Sequence, residues 1–380
     1  MITAVYAFSG DPITFGHIDI VERASNAFGK LIVAIGKNPN KKYTFSLEER
    51  VDMAKRSLAH IPNVEVECFH GLLVDFAYKN GISVIIRGVR NVRDMINENE
   101  LFYINISQNK NIDTFFLPSG INKIHISSSA AKALQEEQGF LHEYVPLCVK
   151  QKLEGKMSHQ RIVGITGGIG CGKSYVANKL VEFIEERGYK AHNIELDEIG
   201  HNILTGHDEL SQIVIREIIN EFGGLGGADI LKLDGSSEID RKKLGEIVFI
   251  DTDKLKKLNE IMREPILTEL RQYIYKKKGI IFINAALIAE AGLGYLCNNN
   301  VIFVKSNSQM AALKSRGLTE LQIDRRIRCQ MTVEEKMMAI SDEIMKAQNG
   351  NIFQYENKLE NKNEKDDLEK LYHSLLKEIQ

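Results

Sequence analysis

The sequence has no long apolar run, no excess of one charge sign and few cysteines. Its 49 basic and 51 acidic residues give a net charge of -2, which provides no signal for nucleic acid or a membrane surface as partner. The five cysteines lack metal-ligand spacing, and we interpret them as reduced thiols of a cytoplasmic protein. The longest apolar stretch, residues 279–296, is interrupted by Asn284 and Glu290. We therefore predict a buried strand there and no membrane span.

The 380 residues are enough for two or three domains. Apolar strand patterns alternate with helical patterns, which predicts α/β domains with parallel sheets. The polar segment 154–160 loses this periodicity and is predicted to be a linker. We expect one domain over residues 1–153, a second over 161–350, and a charged helical tail over 351–380.

A phosphate-binding motif lies in the middle of the chain. Residues Gly167 to Ser174 match Gly-x4-Gly-Lys-Ser and stand between an apolar strand and a helical pattern, the context in which this motif is meaningful. The glycines let backbone N–H groups surround phosphate oxygens, Lys173 adds a point charge, and Ser174 can hold Mg²⁺. The predicted ATP-binding residues of this loop are Gly168, Gly170, Cys171, Gly172, Lys173, Ser174 and Tyr175.

The first half carries a different signature. Thr14-x-Gly16-His17 follows the first strand, and an imidazole at a helix N-terminus suits a triphosphate. With the blocks 45–50, 72–77, 86–90 and 126–129, this segment resembles the bacterial phosphopantetheine adenylyltransferases over residues 2–150. The resemblance implies a Rossmann-like nucleotidyltransferase domain with a parallel sheet.

That resemblance also implies roles for individual residues. His17 and Lys41 are expected to act on the α-phosphate of ATP in the transition state. The phosphopantetheine-binding residues are expected to be Ser9, Lys41, Leu73 and Arg87. The ATP-binding residues are expected to be Ser9, Gly10, His17, Gly88, Val89, Arg90, Glu98, Lys123, Ile124, His125, Ile126, Ser127, Ser128 and Ser129.

The chain departs from that family directly after the first strand. Phe8 stands where the family usually has glycine, and Gly10 stands where it has phenylalanine. We interpret the two changes as a compensated exchange.

The second half resembles dephospho-coenzyme A kinase over about residues 161–350. Besides the phosphate loop, the resemblance depends on Ile239–Phe249, the acidic strand end Glu195–Asp197, and the run from Arg326 to Gln330. It implies a P-loop kinase with a lid and a substrate-binding subdomain. Asp197 matches the family's presumed base, and Lys173 is expected to contact the phosphates. The family's usual Asp-Ala-Asp motif reads Glu195-Leu196-Asp197 in this chain. The expected dephospho-CoA-binding and lid residues are Arg241, Arg316 and Arg326.

Together the two resemblances predict a bifunctional enzyme for the last two steps of coenzyme A biosynthesis. Its substrates would be ATP, 4′-phosphopantetheine and dephospho-CoA, with Mg²⁺ accompanying ATP. We expect no nucleic-acid or membrane partner, and a homo-oligomer formed through the first domain. Two alternatives stay open, a pyridine-nucleotide adenylyltransferase fused to a ribosyl kinase, and an ATP-binding regulatory protein with one decayed half.

Overall fold

The computed structural model describes residues 2–38, 41–109, 111–224, 230–232, 238–306, 309–315, 319–328, 330–358 and 363–379. Contacts divide the chain into two compact units, Met1–Met157 and Ser158–Gln380. Each unit contains a five-stranded sheet whose strands pair in parallel. The predicted α/β class is thereby confirmed.

The first unit is built on a sheet of order β3-β2-β1-β4-β5. Its strands are β1 Thr3–Phe8, β2 Lys30–Ile35, β3 Val64–Cys68, β4 Val84–Val89 and β5 Asp113–Pro118. Its α-helices are α1 Phe15–Ala27, α2 Leu47–Leu58, α3 Leu73–Lys79, α4 Val92–Gln108, α5 Ser128–Glu136 and α6 Leu147–Leu153.

The central strand β1 is buried on both faces because helices cover both sides of the sheet. Successive side chains of a strand point to opposite faces. Ala4 and Tyr6 accordingly join one apolar cluster, and Val5 and Ala7 join another. A parallel sheet covered on both sides favours continuous apolar strands of this kind.

The order of the strands also determines where a ligand can bind. The chain passes from β1 outward to β2 and β3, then returns to place β4 on the other side of β1. At such a switch point, the loops after the carboxyl ends of neighbouring strands diverge and leave a crevice. In this unit the crevice lies beyond the ends of β1 and β4.

The second unit has a sheet of order β10-β9-β6-β8-β7. Its strands are β6 Gln160–Gly167, β7 Ala191–Glu195, β8 Gly279–Asn284, β9 Asn300–Lys305 and β10 Asn351–Glu356. Its described helices are α7 Lys173–Glu185, α8 Leu196–Thr205, α9 Glu209–Phe222, α10 Arg241–Val248, α11 Thr252–Ile274, α12 Gln309–Ser315, α13 Glu320–Arg328, α14 Val333–Ala347 and α15 Glu364–Ile379. The central strand β6 leads directly into the phosphate loop.

The segment predicted as a linker, residues 154–160, is helical over its first five residues. Helix α6 continues into a π-helical turn, Glu154–Ser158, and β6 begins at Gln160. Lys150 and Glu154 are both buried and form an ion pair of 2.6 Å across one turn. The charges that suggested a linker are therefore partly paired within the helix.

The predicted tail from residue 351 is corrected by the structure, because this segment contributes a strand and a helix to the second unit. Strand β10 pairs with β9 from Asn351 to Glu356. Helix α15 buries Leu368, Leu371, Leu375 and Ile379 against the core. The spacing of three and four residues between these side chains, rather than the charged composition, determines the fold of the segment.

Among the described residues, none of the helices combines the length and apolar character needed to cross a membrane.

The packing of α15 predicts a selective effect on stability. Leu375 is fully buried, so we expect Leu375→Ala to lower the free energy of unfolding of the second unit by about 2–5 kcal/mol. His373→Ala, on the exposed face of the same helix, is the control and should change it by less than about 0.5 kcal/mol. Hydrogen exchange of β9 peptides across a urea series measures the free energy of unfolding in both variants. Equal effects of the two variants would mean that the helix does not pack as described.

Candidate active sites

A cavity of about 930 Å³ occupies the crevice of the first unit. It lies where β1 and β4 end and where α1 and α5 begin. Predicted residues that line it are Ser9, His17, Lys41, Leu73, Arg87, Gly88, Arg90, Glu98, Ile126, Ser127, Ser128 and Ser129. The fold thus brings together residues from blocks that are far apart in the sequence.

Other predicted residues do not line this cavity. Gly10 lies in the loop after β1, Val89 ends β4, and Ile124 is about half exposed. Lys123 and His125 line a separate cavity of about 330 Å³ beside Phe15.

His17 lies in the first turn of α1 with its tautomer fixed by the backbone. Its Nδ1 accepts a hydrogen bond from Thr14 N at 3.1 Å and lies 2.9 Å from Thr14 Oγ1. A backbone N–H can only donate, so Nδ1 is unprotonated, and the proton of the neutral ring is on Nε2. Burial lowers the pKa of His17 from 6.5 to about 3, and the positive charges of Arg90 and Lys41 act in the same direction. The ring is therefore a neutral hydrogen-bond donor at physiological pH.

Phe8 stacks on His17. The two ring centroids are 4.4 Å apart, and the ring planes differ by 10°. A Cβ atom at Gly10 would lie 3.2 Å from Phe8 Cε2, and Gly10 has φ of 59°. The Phe8 ring therefore fills space next to Gly10, which is consistent with a compensated exchange.

Two predicted cations and two predicted serines of this cavity have defined partners. Arg87 Nε lies 3.3 Å from Glu98 Oε2, and Arg90 Nε lies 2.9 Å from Asp94 Oδ2. Ser127 caps α5 by accepting from Ala130 N, and Ser128 Oγ donates to Pro12 O at 2.8 Å. Ser127, Ser128 and Ser129 line the cavity, so the first turn of α5 borders it, and backbone N–H groups at a helix start favour an anion.

Sequence reasoning missed Arg50 as part of this site. Its side chain is 1% exposed and donates to the carbonyl oxygens of Ser9 and of Gly36, the latter at 2.8 Å. Its guanidinium also lies 4.1 Å from the centroid of the Tyr43 ring. Arg50 thus fixes the loops that follow β1 and β2. A capping box of Ser46 and Glu49 marks the start of α2 in the sequence, but it does not indicate that the next residue points inward.

The phosphate loop of the second unit runs from the end of β6 to the start of α7. Gly170 and Gly172 have φ of 76° and 84°, a left-handed conformation that favours glycine. Lys173 begins α7, and its Nζ donates to Gly168 O at 3.2 Å, so the ammonium folds over the loop. Cys171 is buried within the loop, and this burial raises the pKa of its thiol. Tyr175 is exposed and donates to Glu364 Oε1 at 2.9 Å.

Two residues outside the motif support the loop, and sequence reasoning missed both. Asn357, which follows β10, donates from Nδ2 to Cys171 O at 3.0 Å. Lys336 is fully buried in α14, and its Nζ donates to Gly167 O, at the start of the loop, at 3.4 Å. It also donates to Ala286 O at 2.8 Å and pairs with Glu290 Oε1 at 2.9 Å. Both side chains reach across the sheet from elements far along the chain.

Carboxylates converge on the first turn of α7. Ser174 Oγ donates to Glu195 Oε2 at 2.8 Å, and Asn284 Nδ2 donates to Ser174 Oγ at 3.3 Å. Asp197 lies in the first turn of α8, where desolvation by the surrounding protein raises the pKa of its carboxyl although the side chain remains open to solvent. Lys173 opposes this rise most strongly, and Arg241 does so more weakly. The predicted residues Lys173 and Arg241 therefore both lie within electrostatic reach of Asp197.

The structure does not describe the side chains of the two predicted lid residues. Arg316 lies outside the described residues. Arg326 belongs to α13, but its side chain lies outside the described part of the structure.

Comparisons with known proteins give a match for each unit. A family model described as dephospho-CoA kinase matches residues 161–352, and one described as cytidylyltransferase-like matches residues 9–134. The phosphopantetheine adenylyltransferase of Desulfatibacillum aliphaticivorans is 43% identical over 155 residues, which are 41% of this chain and 89% of that protein. The phosphopantetheine adenylyltransferase of Caldanaerobacter subterraneus subsp. tengcongensis is 42% identical over 156 residues, which are 41% of this chain and 98% of that protein.

The environment of His17 predicts its behaviour with pH. With a pKa of about 3 in the folded chain, the ring should not titrate between about pH 5 and pH 8. The unfolded chain binds this proton below about pH 6.5. The contribution of His17 to stability is therefore complete above that pH and is lost as the pH falls toward 3. ¹⁵N NMR of the histidine rings, with His17→Gln to assign the signal, measures the titration. A midpoint near pH 6.5 would contradict the neutral assignment.

Proposed function

Because the chain belongs to the dephospho-CoA kinase family and to the phosphopantetheine adenylyltransferases, it is a bifunctional enzyme for the last two steps of coenzyme A biosynthesis, and we propose that each site described above carries one step. We assign adenylyl transfer to residues 1–153 and the kinase step to residues 161–350. The observation that carries the first assignment is the single cavity shared by a neutral His17, Lys41, Arg87 and the start of α5.

In the first step, a phosphate oxygen of 4′-phosphopantetheine attacks the α-phosphorus of ATP. The bond from the α-phosphorus to the bridging oxygen breaks, and pyrophosphate leaves. Donors aimed at charge that develops in the transition state supply most of the rate in such reactions. We assign this role to the Nε2–H of His17 and to the ammonium of Lys41.

The remaining groups of the cavity fit the two substrates. Arg87, oriented by its pair with Glu98, and Leu73 would hold phosphopantetheine, with Ser9 beside them. The first turn of α5, at Ser127–Ser129, would receive the β- and γ-phosphates, because free N–H groups at a helix N-terminus bind anions.

In the second step, the γ-phosphoryl group of ATP passes to the 3′-hydroxyl of dephospho-CoA, and ADP leaves. The loop amides and Lys173 would hold the phosphates. Asp197 would orient the ribose hydroxyl and take its proton late, and Arg241 would hold the substrate beside it. Arg316 and Arg326 are proposed as lid residues on the sequence resemblance alone.

The kinase site also fits Mg²⁺. Ser174 presents a hydroxyl oxygen at the start of α7 with a carboxylate beside it, and Mg²⁺ prefers oxygen ligands of this kind. When bound with ATP, the ion neutralises charge on the phosphate oxygens. Ser174 is the residue that we propose as its ligand.

We also propose that the chain acts in the cytoplasm and forms a homo-oligomer through the first unit. Apolar side chains of Val92, Ile96, Ile104 and Phe115 are more than half exposed on α4 and β5. An exposed apolar surface of this kind is typical of an interface.

The proposal is tested by mass spectrometry of the full chain incubated with 4′-phosphopantetheine, ATP and Mg²⁺. Dephospho-CoA followed by CoA is the expected sequence of products. A reaction that yields neither compound would overturn the proposal.

His17→Ala should lower the rate of adenylyl transfer by about 10²–10³, because it removes a hydrogen-bond donor to the transition state. The kinase step, measured separately with added dephospho-CoA, should keep the parental rate. His60→Ala, at an exposed histidine of the same unit, is the control and should change neither rate. Equal loss of both activities in His17→Ala would count against two independent sites.

Asp197→Asn should lower the kinase rate by about 10² or more, because the amide cannot accept the ribose proton. Dephospho-CoA should then accumulate while adenylyl transfer continues. The control Glu198→Gln removes the neighbouring exposed carboxylate and should leave CoA formation unchanged. If Asp197→Asn forms CoA at the parental rate, the role assigned to Asp197 is wrong.

A further inference from the structure

Strands β7 and β8 end side by side next to the phosphate loop, but with different side chains. Glu195 ends β7, Asn284 ends β8, and the two residues are register partners across the parallel pair. Strand β8 is the direct neighbour of β6, and Asn284 is also the partner of Ile165 in β6. The strand end adjacent to the loop strand therefore carries a neutral amide, whereas the next strand end carries a carboxylate.

This arrangement matters because P-loop enzymes hold the Mg²⁺ of their nucleotide with the loop hydroxyl and a carboxylate at a strand end. The amide of Asn284 has no negative charge to supply. Glutamate has a longer side chain than aspartate, and Glu195 reaches Ser174 from the more distant strand, with Oε2 lying 2.8 Å from Ser174 Oγ.

The hydrogen bonds of Ser174 leave room for one more ligand. A hydroxyl has one donor and two acceptor positions. The proton of Ser174 is donated to Glu195, and one lone pair accepts from Asn284 Nδ2 at 3.3 Å. The second lone pair is available to a cation.

The Glu195 carboxylate is itself held in place. Its Oε1 accepts from Asn193 Nδ2 at 3.1 Å, and the same amide contacts Asn178 Oδ1 at 2.9 Å. Asn284 is 3% exposed, so its amide has little freedom to turn away from Ser174. The two strand ends and the start of α7 thus form a preorganised group of oxygen and amide side chains.

We propose that Glu195 supplies the carboxylate of the Mg²⁺ site in the kinase unit, acting with Ser174, and that Asn284 orients Ser174 at the strand end beside the loop. This proposal rests on the kinase function assigned above and names the residues that give its metal site a negative charge. It gives the two carboxylates of the Glu195–Asp197 run different roles. Glu195 would bind the metal, and Asp197 would bind the ribose hydroxyl.

The test is a Mn²⁺ titration of the full chain in the presence of the β,γ-imido analogue of ATP. Paramagnetic broadening of isoleucine methyl signals reports each site separately. Ile194 and Ile283 precede Glu195 and Asn284, and Ile126 lies at the cavity of the first unit. Glu195→Gln should raise the Mn²⁺ concentration for half-broadening at Ile194 and Ile283 by about tenfold, the lower end of the range for losing a supporting group of a metal site. The value at Ile126 should stay unchanged.

Two further variants make the result specific. Glu198→Gln removes a nearby exposed carboxylate and should keep the parental value. The double variant Glu195→Gln, Asn284→Asp moves the carboxylate to the neighbouring strand end and should recover most of the loss. Isoleucine methyl dispersion in each variant shows that it is folded.

A parental half-broadening concentration in Glu195→Gln, or an equal loss in Glu198→Gln, would overturn the role of Glu195. A double variant as weak as Glu195→Gln would overturn the placement of Asn284 beside the metal. These outcomes are distinct from failure of the kinase assignment, since that is decided by whether the parental chain converts dephospho-CoA to CoA.

Discussion

Both sites depend on one constraint, which is that the first backbone N–H groups of a helix need hydrogen-bond partners from outside the helix. In each unit a strand ends at the carboxyl edge of the sheet, and a helix begins after a connecting loop, where its first N–H groups have no preceding turn of helix to bond to. Helix α5 presents these groups in the first unit, and α7 presents them in the second. In α1 the N–H groups of Phe15 and His17 already donate to the carbonyl oxygens of Tyr144 and Thr14. Phosphate groups satisfy such donors better than most side chains can, because the helix dipole adds to the hydrogen bonds. One physical solution is thus used for two different reactions.

The loops that carry these helix starts are fastened in both units by a single buried cation. Arg50 joins the carbonyl groups after β1 and β2, and Lys336 joins the Gly167 carbonyl at the start of the phosphate loop to the Ala286 carbonyl after β8. A buried carbonyl that loses its donor costs about 1–3 kcal/mol, so each cation stabilises a loop conformation that the loop residues alone do not determine.

Local patterns made the strand, loop and helix sequence around each motif predictable, and they also placed His17, Lys173 and Ser174 at helix starts. The supporting residues could not be found in this way. Asn357 contacts a carbonyl 186 residues away, and the partners of Arg50 include Ser9, 41 residues away. No local spacing distinguishes a lysine such as Lys336 from the exposed lysines of other helices. After residue 350 a helix was predicted, but the charged composition concealed strand β10 and the packing of that helix against the core.

The bond between Asn357 and the phosphate loop has a consequence for how the molecule forms. The loop is closed by a side chain at the end of β10, so its geometry is complete only after the last strand of its sheet has joined β9. Contacts of such large sequence separation form late, because the intervening chain must first be ordered. The strands of the first unit, by contrast, all lie within its first 118 residues. During synthesis from the N-terminus, the first unit can therefore fold while the second is still being made. A nascent chain would then acquire its two nucleotide sites in the same order as the reactions that they carry out.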